Sequence, residues 1–372
     1  MAGVPQLFAG VMSGTSLDGV DAVVADFAPP DNALCTLRGC AHVGFAPNLR
    51  TELLALQTSG PDELVRAARS ANALADVYAQ AIGMACRDAA IDARAAIAVG
   101  VHGQTVRHRP AEGWTWQINN PSRVAELSGI TVVADFRSRD IAAGGHGAPL
   151  VPAFHAALFG TTDRHRVIVN LGGIANITDL PLQGPVRGFD TGPGNVLLDD
   201  WCSRHLGTAF DADGAWAATG TVDPVALRAL HAEPFLALPP PKSTGRDLFN
   251  PAWLDAHLAA LPWRGTAPDM QATLTAFTAR TVAAAIKMHA GNAVEVFVAG
   301  GGARNATLMR MLATLLPGKR VVTTDTLGVA SDYVEALAFA WLAREALAGR
   351  PGNLPAVTGA SGLRVLGGIY PR

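Results

Sequence analysis

Apolar side chains run along the chain in two different periods. Leu7 to Met12, Val20 to Phe27, Arg166 to Leu171 and Val294 to Ala299 are short, almost continuous apolar runs bounded by glycine, the pattern of buried strands ending in turns. Between such runs the apolar positions recur every three to four residues. Leu64, Ala68, Ala71, Ala75, Tyr78 and Ile82 predict a helix over 62–90, opened by Pro61-Asp62-Glu63. Segments 270–289, 303–316 and 334–347 read as helices too. Strands alternating with long helices imply an α/β architecture. The first two runs flank S-G-T-S-L-D-G (Ser13 to Gly19), which predicts a hairpin with a polar, glycine-bearing turn. R-V-I-V-N-L, Gly172-Gly173 and I-A-N-I-T repeat that plan, which suggests an internal duplication without showing one. The proline-rich stretch Leu238 to Gly245 reads as a stiff surface loop.

At 372 residues the chain is long enough for two domains, and at 49% hydrophobic and 16% charged it can bury a sizeable core. Its 29 Lys and Arg against 31 Asp and Glu leave a net charge of −2, which argues against a nucleic-acid footprint or a polybasic membrane patch. No uncharged apolar run reaches the ~18 residues of a membrane span. No Lys or Arg precedes Arg38, so the charged start of a signal peptide is missing. Cys35, Cys40, Cys86 and Cys202 fit no zinc spacing and read as reduced thiols of a cytoplasmic protein. The 39 glycines exceed the usual share of ~7% and mark tight turns and close approaches.

Three glycine turns follow strands. In the first, Gly14 and Gly19 open the backbone to an anion, Thr15 and Ser16 add hydroxyl donors, and Asp18 and Asp21 would need a divalent cation between them and a phosphate. An ordinary hairpin turn with Asp at turn positions fits equally well. It is not a Walker loop, since no Gly-Lys-Ser/Thr follows. The second is Leu171-Gly172-Gly173, and the third, Gly300 to Asn305, leads into a helix and could admit a base or ribose. Asp190, in G-F-D-T-G-P-G-N, is either a general base held by rigid neighbours or a cap on the helix starting near Asn195; Asn195 could itself cap and release it. His102, His108, His146 and His155 lie in or near glycine-rich loops but lack metal-ligand spacing; His102 reads as a polar contact to substrate or backbone.

The three glycine turns resemble those of the actin, sugar-kinase and heat-shock ATPase superfamily. Over the whole chain the sequence resembles one family, anhydro-N-acetylmuramic acid kinase. The matching stretches are G-V-M-S-G-T-S-L-D-G-V-D from Gly10, V-H-G-Q-T-V-R-H from Val101, I-T-V-V-A-D-F-R-S-R-D from Ile130, and G-A-P-L-V-P-A-F-H from Gly147. They continue with N-L-G-G-I-A-N-I-T from Asn170, G-F-D-T-G-P-G-N-V-L-L-D from Gly188, P-K-S-T-G-R from Pro241, G-G-G-A-R-N from Gly300, E-A-L-A-F-A-W-L-A from Glu335 and G-N-L-P-A-V-T-G-A from Gly352. Departures are Ser138 for the usual Arg, His146 for Gln and Asn119 for Gly; they bear on fine sugar contacts.

The resemblance implies two related ribonuclease-H-like (actin-like ATPase) domains with a nucleotide cleft between them, residues 1–137 with about 355–372 and residues 138–354. It implies ATP and Mg²⁺, with 1,6-anhydro-N-acetylmuramic acid as small-molecule substrate, a cytoplasmic location, no nucleic-acid or membrane partner, and a homodimer as one option. By resemblance Asp190 is the base and Glu335 assists at the substrate. Gly14, Thr15, Ser16, Leu17, Asp18, Gly19, Val20 and Asp21 hold the phosphates, with Gly172, Gly173, Gly300, Gly301, Gly302 and Asn305 near the nucleotide. Gln104, Arg137 and Arg139 are sugar and lactyl-carboxylate contacts; the Mg²⁺ ligands are unassigned. A same-fold kinase for a plain hexose or amino sugar, or a non-enzymatic ATPase switch, are the alternatives.

Overall fold

Strands β1 (Leu7–Met12) and β2 (Gly19–Asp26) form the expected hairpin, paired from Leu7 with Asp26 to Met12 with Asp21. The computed structural model describes residues 5–14, 17–28, 33–261 and 263–372. β3 (Thr36–Gly44) extends the hairpin antiparallel, and β4 (Ala98–Val101) runs parallel to β1. β5 (Gln104–Arg109) and β6 (Trp114–Ile118) make a separate ribbon, and β7 (Val132–Ala134) adds parallel to β4. The long helix Glu63–Asp88 covers one face of the sheet, as the periodicity predicts, but its first turns present a different stripe. Leu64 is exposed, and Ala67, Ser70, Leu74, Tyr78, Ala81, Ile82 and Ala85 are buried. Helix and strands share one apolar cluster that includes Val11, Val20, Val24, Leu74, Tyr78 and Val99.

The second half repeats this plan. β8 (Arg166–Leu171), β9 (Ile174–Leu180) and β10 (Arg187–Pro193) are an antiparallel meander; β11 (Glu295–Ala299) and β12 (Arg320–Thr323) join parallel on the other side of β8. The helix Ala267–His289 leads into β11 as Glu63–Asp88 leads towards β4. The last strand, β13 (Gly368–Tyr370), returns to the first sheet as the edge beside β7. The sheets therefore read β13-β7-β4-β1-β2-β3 and β10-β9-β8-β11-β12. Leaving β13 aside, the strand orders and directions are the same. Each half is a ribonuclease-H-like unit, and the duplication is plain in topology although slight in residue identity.

The chain divides into Met1–Leu158 with Tyr333–Arg372, and Phe159–Asp332. These divisions fall elsewhere than 137/138 and 354/355, for two physical reasons. Asp140 is fully buried and accepts hydrogen bonds from the Gly147 amide (2.8 Å), Asn353 Nδ2 (2.7 Å) and Thr358 Oγ1 (2.8 Å), tying the segment after β7 to the C-terminal residues. The helix Val334–Leu347, for its part, lies directly on the first sheet. A Cβ on Gly10 of β1 would stand 2.0 Å from the Ala336 carbonyl oxygen, and one on Gly100 of β4 would stand 2.0 Å from that of Phe339. Only bare backbone permits this approach.

Gly100→Ala should accordingly lower stability by about 1–3 kcal/mol, the usual cost of overpacking a filled core. Urea unfolding checks this; an unchanged midpoint would mean that the helix contact yields without cost.

Candidate functional site

In the first unit the candidate residues gather at the turn after β1. Ser13 Oγ, buried, hydrogen-bonds Tyr78 Oη (2.9 Å) and donates to the Gly103 carbonyl (3.1 Å), anchoring the turn to the long helix and to the start of β5. The Gly14 carbonyl accepts from Gln104 Nε2 (3.1 Å) and from the Leu17 amide (3.3 Å). Thr15 and Ser16, the expected hydroxyl donors, lie outside the described residues. Leu17 takes a left-handed backbone (φ 56°) with its side chain in the core, and Val20 is buried beside it. Their side chains face the core, so only their backbone is left to serve a ligand. Gly19 is dictated by packing, since a Cβ there would lie 2.5 Å from the Val43 carbonyl oxygen. Asp18 is exposed, and Asp21 Oδ1 pairs with His42 Nδ1 across β2 and β3 (2.8 Å).

The two arginines expected at the sugar part company. Arg137 donates from Nε and Nη2 to His102 Nε2 (3.2 and 2.8 Å) and from Nη1 to the Gly147 carbonyl (2.6 Å). Burial, reinforced by the Arg137 charge, pushes the His102 ring down to about 3, so it is a neutral acceptor. Arg139 is exposed and lines an open cavity of about 860 Å³ with Asp135, Ser138 and Arg364. Glu335 is half-buried in the first turn of Val334–Leu347, the helix seated on Gly10 and Gly100.

In the second unit the two glycine turns do different work. The Gly172 carbonyl accepts from the Asn195 amide (2.8 Å), and that of Gly173 accepts from the amides of Gly194 (2.9 Å) and Val196 (3.1 Å). The β8–β9 turn is thus clamped onto the start of the helix Val196–Leu206. Gly300 (φ 82°) and Gly302 permit contact with Leu171, because a Cβ on either would come within 3.0 Å of its atoms. At Gly172 and Gly301 a Cβ would meet neighbours only at ordinary contact distance (3.6 Å and 3.9 Å at the nearest), so packing does not demand glycine there and a ligand could approach the backbone. Asn305 is occupied otherwise. Its Oδ1 accepts from the Leu308 amide (2.9 Å) and caps the helix Ala306–Leu315, which is why that helix starts after a tight turn, Gly301–Arg304, rather than at Ala303.

Asp190 is on β10, not on a free turn. The pairing of β10 with β9 slips between Asp190 and Gly192, a bulge that re-aims the strand. Asn195 stands at the N-terminal boundary of the following helix without capping it; its Nδ2 donates to the Leu171 carbonyl (3.0 Å). Asp190 Oδ2 accepts from the Thr244 amide (2.9 Å), and the Asp190 amide donates to the Lys242 carbonyl (3.1 Å). The proline-rich loop therefore holds the carboxylate instead of merely covering surface. Burial pushes the Lys242 ammonium down, and the Asp190 charge opposes that shift. Lys242 Nζ is fixed by the carbonyls of Phe235 (3.1 Å) and Leu236 (3.0 Å).

Residue-by-residue reading of the sequence passes over Lys242 and Thr244, although P-K-S-T-G-R carries them, and over Asn170. Asn170 is buried just before Gly172-Gly173; its Oδ1 has no partner among the described residues and faces the space that a Cβ on Gly300 would fill. Among the described residues no group of three or more His, Cys, Asp or Glu could hold a metal. A Mg²⁺ here would have to be shared with phosphate and water, its usual habit in nucleotide sites. No helix among those residues is long and apolar enough to cross a membrane.

A family model described as anhydro-N-acetylmuramic acid kinase matches residues 6–372. The anhydro-N-acetylmuramic acid kinase of Thiobacillus denitrificans is 54% identical over 364 residues, covering 98% of this chain and 97% of that one. Those of Paraburkholderia xenovorans (55% identical, 98% of each chain) and Nitrosomonas europaea (50%, covering 98% and 99%) are similar over the same extent.

His102 and His155 are both fully buried, and burial pushes each ring down from 6.5 to about 3. Between those values the unfolded chain binds protons that the folded chain refuses. Their contribution is therefore intact above pH ~6.5 and is lost as pH falls towards 3. His102→Gln should flatten the pH dependence of urea unfolding between pH 6.5 and 5 by on the order of 1 kcal/mol per pH unit. Identical slopes in variant and wild type would show that His102 charges freely in the fold.

Proposed function

Because the chain belongs to the anhydro-N-acetylmuramic acid kinase family, we propose that it opens 1,6-anhydro-N-acetylmuramic acid with water and phosphorylates the released O6. The products are N-acetylmuramic acid 6-phosphate and ADP, and the setting is cytoplasmic recycling of cell-wall sugar. An ordinary sugar kinase deprotonates a hydroxyl, but in the anhydro sugar O6 is bonded to C1 and carries no proton. The base must act on water. Asp190 takes a proton from a water molecule as its oxygen bonds to C1, the C1–O6 bond breaks, and O6 accepts the γ-phosphoryl group of ATP.

The observation that carries this reading is the mooring of Asp190. A bulge re-aims its strand, the Thr244 amide donates to its carboxylate, and the Lys242 charge is close enough for the two to interact. The Thr244 amide and the Lys242 charge together orient and hold the carboxylate for the role of a base. Glu335 assists at the sugar, and Gln104 and Arg137 supply polar contacts to it; Arg139, which lines a different cavity, is left out of the set. The backbone at Gly14 and Gly19, with Gly172 and Gly301, receives the nucleotide. Asp18 would help to hold a Mg²⁺ ion, which would supply positive charge to the phosphoryl group being transferred. The family name argues against a switch without catalysis; a panel of plain hexoses and amino sugars separates the remaining kinase readings.

Asp190→Asn should lower turnover of the anhydro sugar by roughly 10²–10⁴-fold while ATP binding, followed by calorimetry, is kept. Turnover close to wild type would assign the base elsewhere.

Reaction in ¹⁸O-water should place the label on the C1 hydroxyl and none in the phosphate ester, as fragmentation of the isolated sugar phosphate would read. Label in the ester bridge would mean that C6–O cleavage opened the ring, contrary to the step above. Labelled inorganic phosphate without sugar phosphate would be plain ATP hydrolysis.

A further inference from the structure

One face of the second sheet carries a polar row that ends on the candidate base. In the antiparallel register Asp190 of β10 stands opposite Asn176 of β9, and Asn176 stands opposite Asn170 of β8. Their chain neighbours Phe189, Ala175, Ile177, Val169 and Leu171 all belong to the apolar core. Side chains alternate along a strand, and directly opposite residues share a face, so the three polar side chains lie together on the face away from that core. Asn170 is buried, and its Oδ1 has no partner among the described residues. Asn176 is half-buried, and no described residue hydrogen-bonds its amide. Neighbouring strands are about 4.8 Å apart, so the row covers about 10 Å from Asp190 to the residue before the Leu171-Gly172-Gly173 turn. At its centre stands a strand-borne amide with both of its polar atoms to spare.

Resting on the reading above, we propose that Asn176 is a further catalytic residue, whose Nδ2 donates to O6 of the sugar as the anhydro bridge opens. In that step the water oxygen bonds to C1 while one of its protons passes to Asp190. The C1–O6 electron pair stays with O6, which bonds to the γ-phosphorus as the bond from phosphorus to the departing ADP oxygen breaks. Water belongs to the Asp190 end of the row and the phosphoryl group to the glycine-turn end, so O6 changes partners over the middle strand. Negative charge gathers on O6 between the loss of C1 and the capture of phosphorus. A donor already fixed on a strand stabilises such charge without reorganising. Asp190 cannot fill this role, because a carboxylate only accepts. An amide also suits its place beside the base, since it carries no charge to compete for the Asp190 carboxylate.

The test sets the wild-type chain beside Asn176→Leu, which keeps the volume and loses the donor, Asn176→Ala, and Asn176→Gln, which keeps a donor on a longer stem. It measures kcat and KM for 1,6-anhydro-N-acetylmuramic acid and for ATP, calorimetric sugar binding, thermal unfolding, and the kinetic isotope effect of ¹⁸O placed at O6. Asn176→Leu and Asn176→Ala should lose roughly 10²–10³-fold in kcat, with both KM values and sugar binding kept. Their O6 isotope effect should rise, because the leaving oxygen then carries its charge unaided, and Asn176→Gln should recover part of kcat. An unchanged kcat in the Leu and Ala variants, or any loss accompanied by the wild-type isotope effect, would make Asn176 structural and overturn the proposal. Wild type that does not turn over the anhydro sugar, or that carries solvent ¹⁸O into the ester bridge, would instead overturn the underlying functional reading, and this one with it.

Discussion

The first unit depends on backbone lying against backbone. Gly10 and Gly100, on adjacent parallel strands, leave the surface of β1 and β4 bare enough for the helix Val334–Leu347 to rest its own main chain on the sheet. No side chain is interposed, so the contact leaves little slack. Glu335 begins that helix, and the turn beginning at Ser13 follows β1. The same close approach therefore governs where the helix carboxylate and the glycine turn stand within their unit. Dispersion and burial supply the attraction, and the absence of two methyl groups permits it.

The second unit fixes its carboxylate by another means. Asp190 owes its setting to a strand irregularity and to a loop some fifty residues further along, whose Lys242 and Thr244 reach it through main-chain atoms. A backbone donor is indifferent to the side chain that bears it. What must be kept is the path of the loop, and the Lys242 ammonium sets that path by gripping the carbonyls of Phe235 and Leu236.

Much of this was legible in the sequence. The strand runs ending in glycine, the long helices and the two hairpins all stand where the apolar pattern predicts, because burial of a strand or of a helix face is a local demand that periodicity records. What escaped were relations between distant segments. Nothing near Asp190 reveals that Thr244 will hold it, and nothing near Asn305 distinguishes a helix cap from a ligand contact until Leu308 is seen bonded to it. Arg137 and Arg139, two residues apart, are both expected at the sugar; the chain turns into a short helix there and sends them to different surroundings. The boundary of the first unit was misplaced for the same reason, since Asp140 finds its partners more than two hundred residues later.

That long return has a consequence for how the chain comes to be. Synthesis proceeds from the N-terminus, and domains tend to fold as they emerge. The unit Phe159–Asp332 is a single unbroken segment and is complete once it has left the ribosome. The unit that starts first finishes last: until Tyr333–Arg372 arrives, its sheet lacks the covering helix over Gly10 and Gly100 and the edge strand β13, and Asp140 is without Asn353 and Thr358. A nascent chain thus carries a finished second unit while the first waits with an apolar sheet face uncovered, and that interval is when the protein is most exposed to aggregation and to the chaperones that guard against it.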